Sequence, residues 1–134
     1  LGVVDAGPLG TFAAADLPGL IEGAHRGAGL GHRFLRHVER TRVLLYMVPV
    51  DAPDLLAAYQ LLRHEVGQFA PGLAERPHMV AWTKSDLVAD PAEVEFPATP
   101  DAFASVTISS VAQQGLDGLL ETLWKRLVVE REAE

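Results

Sequence analysis

Three short clusters in the chain hold residue types that bind rather than build. The first is Asp16-Leu17-Pro18-Gly19, where an acid follows the apolar run Phe12-Ala13-Ala14-Ala15. A carboxylate at a strand end is a hard oxygen ligand for Mg²⁺, directly or through water. Gly19, three residues on, offers an N–H with no side chain to hold an anion away. An acid and a bare amide at that spacing can grip a metal and a terminal phosphate, although an ordinary strand-end turn uses Asp, Pro and Gly as well. The second cluster is Thr83-Lys84-Ser85-Asp86, after the apolar run His78–Trp82. A carboxylate accepts two hydrogen bonds side by side, and guanine presents two adjacent donors, N1–H and the exocyclic amine. Adenine does not. Asp86 is thus a candidate guanine reader, with the methylene stem of Lys84 laid over the base; the plain alternative is an exposed loop with a surface ion pair. The third is Ser109-Ser110, where a backbone N–H can donate to guanine O6.

These clusters need a scaffold that brings strand ends together. Leu1–Asp5 and Thr11–Asp16 read as neighbouring strands around the turn at Gly7-Pro8. Arg42–Val50 is apolar without alternation, as suits a central strand covered on both faces, with Pro49 confined to its end. Leu55, Tyr59, Leu62, Val66 and Phe69 step by four and three, which is one helix face, and Pro71-Gly72 ends that helix. His78–Trp82 and Phe103–Ile108 read as strands. Asp90–Asp101, with Pro91, Pro97 and Pro100, reads as a loop. Gly115–Glu130 reads as a helix with Leu116, Leu120, Leu123 and Leu127 on its apolar side, leaving Trp124 half exposed. Gly31–Arg40 is a shorter helix candidate. Strands alternating with helices imply an α/β fold, a mostly parallel sheet with helices on both faces. In such sheets ligands bind at the carboxyl ends of the strands, where all three clusters fall.

Composition narrows the class. The chain has 134 residues, 49% of them apolar, enough for one domain with a sizeable core. The absence of cysteine rules out disulfides and thiolate chemistry and is compatible with the cytosol. A net charge of −7 argues against a chain-wide nucleic-acid surface. His64-Glu65-Val66-Gly67-Gln68 starts like a zinc helix, but Gln68 stands where the second histidine belongs. Gly27–Gly31 misses the dinucleotide fingerprint because His32 replaces its third glycine. His25, His32 and His37 have no cysteine or carboxylate pair to complete a metal set.

The order and spacing of the three clusters resemble those of a GTP-binding domain. Asp16–Thr41 (DLPGLIEGAHRGAGLGHRFLRHVERT) resembles the second switch region and following helix of the Obg GTPases. The likeness extends upstream through Leu1–Val4 and downstream to the Leu116–Leu120 helix start. The long switch segment is specific to that family; the other motifs are shared by GTPases at large. The resemblance implies a P-loop NTPase-type, small GTPase-like fold. It also implies GTP and GDP as ligands, with Mg²⁺ as cofactor at Asp16. Pro18 and Gly19 would face the terminal phosphate, and Thr83, Lys84, Asp86, Ser109 and Ser110 would hold the guanosine. It implies GTP hydrolysis by the complete protein in the cytoplasm, with the large ribosomal subunit, its RNA and its proteins, as partner in subunit assembly and stress control. The glycines at 23, 27, 29 and 31 would let the switch rearrange after hydrolysis.

This sequence departs from the general GTPase pattern in places. Leu20 stands where many small GTPases place the glutamine that orients the attacking water, an apolar substitution Obg-like proteins share. It implies slow intrinsic hydrolysis, or dependence on other groups, potassium or a partner. Thr83 replaces the usual asparagine of the base motif, as in some Rho-type GTPases, and Ser110 replaces the more usual alanine. Arg26, Arg33, Arg36, Arg40 and Arg42 form a basic cluster that reads either as a solvated face or as a contact for RNA phosphates or nucleotide.

A phosphate-binding loop needs Gly-x-x-x-x-Gly-Lys-Ser/Thr. The only lysines are Lys84 and Lys125, and neither follows a glycine. The expectation is therefore that residues 1–134 are an N-terminally truncated Obg-type G domain, missing the first strand and P-loop. That strand lies centrally in the family's sheet, so the strands at 11–16 and 42–50 lose a shared neighbour, and the isolated piece should be marginally stable. The competing expectation is a non-catalytic remnant of the fold that binds a protein or RNA partner.

Overall fold

In the computed structural model, residues 2–5, 11–14, 41–87 and 94–132 are described. The expected 31–40 helix, the Asp16–Gly19 cluster, the histidines at 25, 32 and 37 and the arginines at 26, 33, 36 and 40 lie outside them.

Among the described residues, five strands form two sheets. β1 (Gly2–Asp5) and β2 (Thr11–Ala14) pair antiparallel, with Gly2 opposite Ala14 and Asp5 opposite Thr11. β3 (Leu44–Pro49), β4 (His78–Thr83) and β5 (Ala104–Thr107) form an all-parallel sheet in that order. The crossover from β3 to β4 carries α1 (Leu55–Phe69) and the one-turn α2 (Pro71–Ala74), and α3 (Leu116–Glu132) follows β5. This is an α/β fold of the expected kind. β3 was expected to be central. Among the described residues its ladder partner is β4 alone, and β2 pairs with β1.

The helices cover opposite faces, and the strand period of two explains how. Leu44, Tyr46 and Val48 of β3, Val50 just after it, and Val80 and Trp82 of β4 pack on one side with Tyr59 and Val66 of α1 and Leu73 of α2. Met79 and Ala81 point to the other and meet Leu119 and Leu123 of α3 together with Ile108. β4 is buried on both faces, which is why its run reads as apolar throughout. Trp82 stacks on Phe96, ring centroids 5.4 Å apart, closing the first core over the loop that precedes β5.

Local chemistry sets the helix ends. The Asp54 carboxylate caps α1 by accepting the Ala57 N–H at 3.0 Å. Pro71 then opens α2 at a position where its missing N–H costs nothing. The expected α3 face holds, but Leu119 is its deepest residue with Leu123; Leu116, Leu120, Trp124 and Leu127 pack around them, partly buried. Arg126 lies over the Phe103 ring at 4.8 Å and ties α3 to the start of β5.

One polar group sits deep under α1. His78, at the start of β4, is buried and lies 2.6 Å from the Tyr59 hydroxyl through Nε2, with the Tyr46 ring edge-on at 5.0 Å. Arg63, salt-bridged to Asp101 at 2.9 Å, lies over Tyr59. Burial, reinforced by the Arg63 charge, holds the imidazole below its ordinary value, which Asp101 only partly offsets. In the unfolded chain the same imidazole titrates near its ordinary value of about 6.5. Above that pH both states are neutral at this site and stability is unaffected. As pH falls below it, the unfolded chain takes up a proton that the folded chain resists, so stability falls. Urea unfolding midpoints from pH 7.5 to pH 5 should decline more steeply in the parent chain than in His78→Gln, which lacks the titrating group; parallel profiles would show that His78 is not responsible.

Candidate functional site

The parallel register of β4 and β5 delivers two of the three clusters to one place. Met79 lies opposite Ala104 and Trp82 opposite Thr107, so both strands end at the same level. The ladder then continues beyond the strands. Ile108 N–H donates to the Trp82 carbonyl at 2.9 Å, and Ser85 N–H donates to the Ile108 carbonyl at 3.1 Å. Thr83 is joined to the third strand through its backbone, its carbonyl accepting the Val50 N–H at 3.0 Å.

Between those bonds the chain turns at Lys84, whose φ of +59° lies in the left-handed region. For a residue with a Cβ this conformation costs on the order of 1–2 kcal/mol. The turn sends Ser85 inward, where it is buried, and starts the 3-10 turn Ser85–Leu87, which leaves Asp86 exposed. Leu87 N–H closes the turn on the Lys84 carbonyl at 2.9 Å. The strain is thus local to the cluster singled out for chemistry, and the strands on either side hold it in place.

On the β5 side, Ser109 is fully buried while Ser110 is exposed. The Ser109 hydroxyl donates to Asp86 Oδ1 at 2.7 Å and accepts the Ala112 N–H at 3.0 Å. A carboxylate has about four acceptor positions. The serine uses one, on Oδ1, and Asp86 is exposed, so Oδ2 and the rest of Oδ1 keep the capacity to accept. That arrangement suits a planar heterocycle with two adjacent N–H donors. The loop after Ser109 folds back, Ser109 and Gln114 exchanging two backbone hydrogen bonds of 2.9 Å each. Gln113, at φ +57°, donates its side-chain N–H to the Ser110 carbonyl at 3.2 Å.

Thr83, Lys84, Asp86, Ser109 and Ser110 are therefore together at the carboxyl end of the sheet. Asp16, Pro18 and Gly19 lie outside the described residues. The sequence reading used Ser109 and Ser110 for their backbone alone and missed the hydroxyl that holds Asp86. It also passed over Ala112 and Gln114, which shape the loop with Gly115. Gly115 entered that reading only as the first residue of the expected helix, five residues after Ser110.

No family model matches the chain. Curated relatives do, over nearly all of it. It is 44% identical to the GTPase Obg of Flavobacterium johnsoniae over 131 residues, 95% of this chain and 39% of that protein. It is 41% identical to the GTPase Obg of Chlorobium phaeovibrioides over 135 residues, 100% of this chain and 40% of the relative. With the GTPase Obg of Thermosynechococcus vestitus it shares 47% identity over 118 residues, 86% of this chain and 35% of the relative. The chain thus spans about two fifths of the length of the relatives it matches.

Proposed function

The chain belongs to the Obg family, and on that premise we propose that it is the base-reading part of an Obg-type GTP-binding domain. The observation that carries the reading is the Ser109 hydroxyl held on Asp86 at 2.7 Å, joining the ends of β4 and β5 into one acceptor site. Asp86 accepts from guanine N1–H and the exocyclic amine. Lys84 covers one face of the base with its stem. The Ser110 N–H donates to O6, and Thr83 braces the strand end beneath. Asp16 would hold Mg²⁺ with its carboxylate, and Pro18 and Gly19 would meet the terminal phosphate; the ion would offset phosphate charge there.

In the complete protein this domain hydrolyses GTP to GDP and phosphate in the cytoplasm and works on the large ribosomal subunit. Residues 1–134 carry no Gly-Lys-Ser/Thr to hold the inner phosphates, so hydrolysis by this stretch alone is not expected. No helix among the described residues is long and apolar enough to cross a membrane.

The test is titration of the chain with fluorescent GDP, with and without Mg²⁺, and competition by unlabelled GDP and ADP. Displacement by GDP and not by ADP is the expected result. Equal displacement by both would remove the guanine assignment.

A further inference from the structure

The base site depends on a loop that closes only because one position has no side chain. Gly115 has φ +76°, and a Cβ built on it would lie 2.3 Å from the Thr107 carbonyl oxygen and 3.1 Å from Ile108 Cγ2. A contact of 2.3 Å to a backbone atom cannot be absorbed by a rotamer change. Nor can the strand end retreat. The two peptide units flanking Ile108 are both held, its N–H donating to the Trp82 carbonyl and its carbonyl accepting the Ser85 N–H. The loop must therefore give way. Its closing bonds are the Ser109–Gln114 pair, immediately before Gly115, and the same loop sends the Ala112 N–H to the Ser109 hydroxyl. Gly115 also starts α3, its carbonyl accepting the Leu119 N–H at 3.1 Å, so the loop is fixed at both ends.

We propose that Gly115 is a positioning residue for base selection. Bare at the point where the loop backs onto β5, it lets residues 109–114 close and hold the Ser109 hydroxyl on Asp86. This rests on the guanine reading above. A side chain at 115 opens the loop, breaks the Ser109 tie to Oδ1, and frees the Asp86 carboxylate to rotate. Affinity for the exocyclic amine of guanine is lost first, because that contact needs the second acceptor.

The experiment compares GMP, IMP and AMP binding to the 134-residue chain by NMR titration. IMP keeps N1–H but lacks the amine. The parent chain should prefer GMP over IMP by about tenfold or more, as a hydrogen bond to a charged group is worth. In Gly115→Ala the preference should fall to about twofold or less. Ser109→Ala should behave likewise, since it removes the hydroxyl tie directly. A further variant with one glycine inserted between Ala112 and Gln113 breaks the closure without adding a side chain at 115. Surface loops tolerate such insertions, so this variant decides the matter if Gly115→Ala does not fold, and it should lose the preference too. A merely structural role would weaken GMP and IMP together and leave their ratio unchanged; that result, or a ratio retained in folded Gly115→Ala or in the insertion variant, overturns the proposal. A parent chain that binds GMP and AMP alike would instead overturn the guanine reading, and the role of Gly115 with it.

Discussion

Asp86→Asn should reverse the base preference of the chain, lowering guanine affinity by about tenfold to a hundredfold, the worth of a hydrogen bond to a charged group. The carboxylate offers acceptors only, matched to the two adjacent donors of guanine. An amide offers one acceptor and one donor. Guanine would then meet an N–H facing its own amine. Xanthine, with N1–H beside a carbonyl at position 2, is the complementary partner. The Ser109 hydroxyl can still donate to the amide oxygen from its 2.7 Å position, which orients the amide nitrogen outward. Titration with GMP and XMP should therefore show GMP favoured by the parent chain and XMP by the variant. A variant that binds both as the parent does would mean that Asp86 does not touch the base. Because Asp86 is exposed, its replacement should leave the melting temperature nearly unchanged.

Trp82→Ala should have the largest effect on folding. Trp82 is almost fully buried, stacks on Phe96 and belongs to the core beneath α1. Truncating a buried aromatic to alanine costs about 3–5 kcal/mol, comparable with the whole stability of a small domain, about 5–15 kcal/mol. The strand it sits on leads directly into the Lys84 turn, so the base site should fail with the fold. In urea titrations followed by far-UV circular dichroism, the variant should show no native baseline or a midpoint near zero denaturant. Met47→Ala is the contrast: Met47 is on the same sheet but 52% exposed, and its loss should move the midpoint little. Equal effects of the two would mean that the core is not where the structure puts it.

Much of the fold was readable because it is written in short-range periods. The four-three stepping of Leu55, Tyr59, Leu62 and Val66 puts one face of α1 on the sheet, and Tyr59 and Val66 are indeed buried there. The apolar run His78–Trp82 marked β4 as a strand, and Pro49 falls at the last residue of β3 as expected. The run of β3 is as apolar, although among the described residues it pairs on one side only. Helix cover on the two faces makes such a run apolar, whatever the number of ladder neighbours. Leu119 was missed because the α3 leucines step closely enough for two overlapping stripes, and only packing against Met79 and Ala81 selects between them.

By itself the sequence determined the kind of fold, the family, and which residue types could read a guanine base. Those follow from periodicity, from motif spacing and from the chemistry of a carboxylate, all local properties of the chain. How the ends of β4 and β5 are tied together depends instead on packing between distant segments. The Ser109–Asp86 bond joins residues 23 apart in the chain and exists because β4 and β5 end at one level. The left-handed turn at Lys84 shows no glycine or asparagine to announce it; strand ends pinned on both sides hold it there. Gly115 is one of 12 glycines and looks like the others until the Thr107 carbonyl is seen where its side chain would stand. Hydrogen bonds and close contacts between distant segments have no period, so they are settled by the packing that brings the segments together.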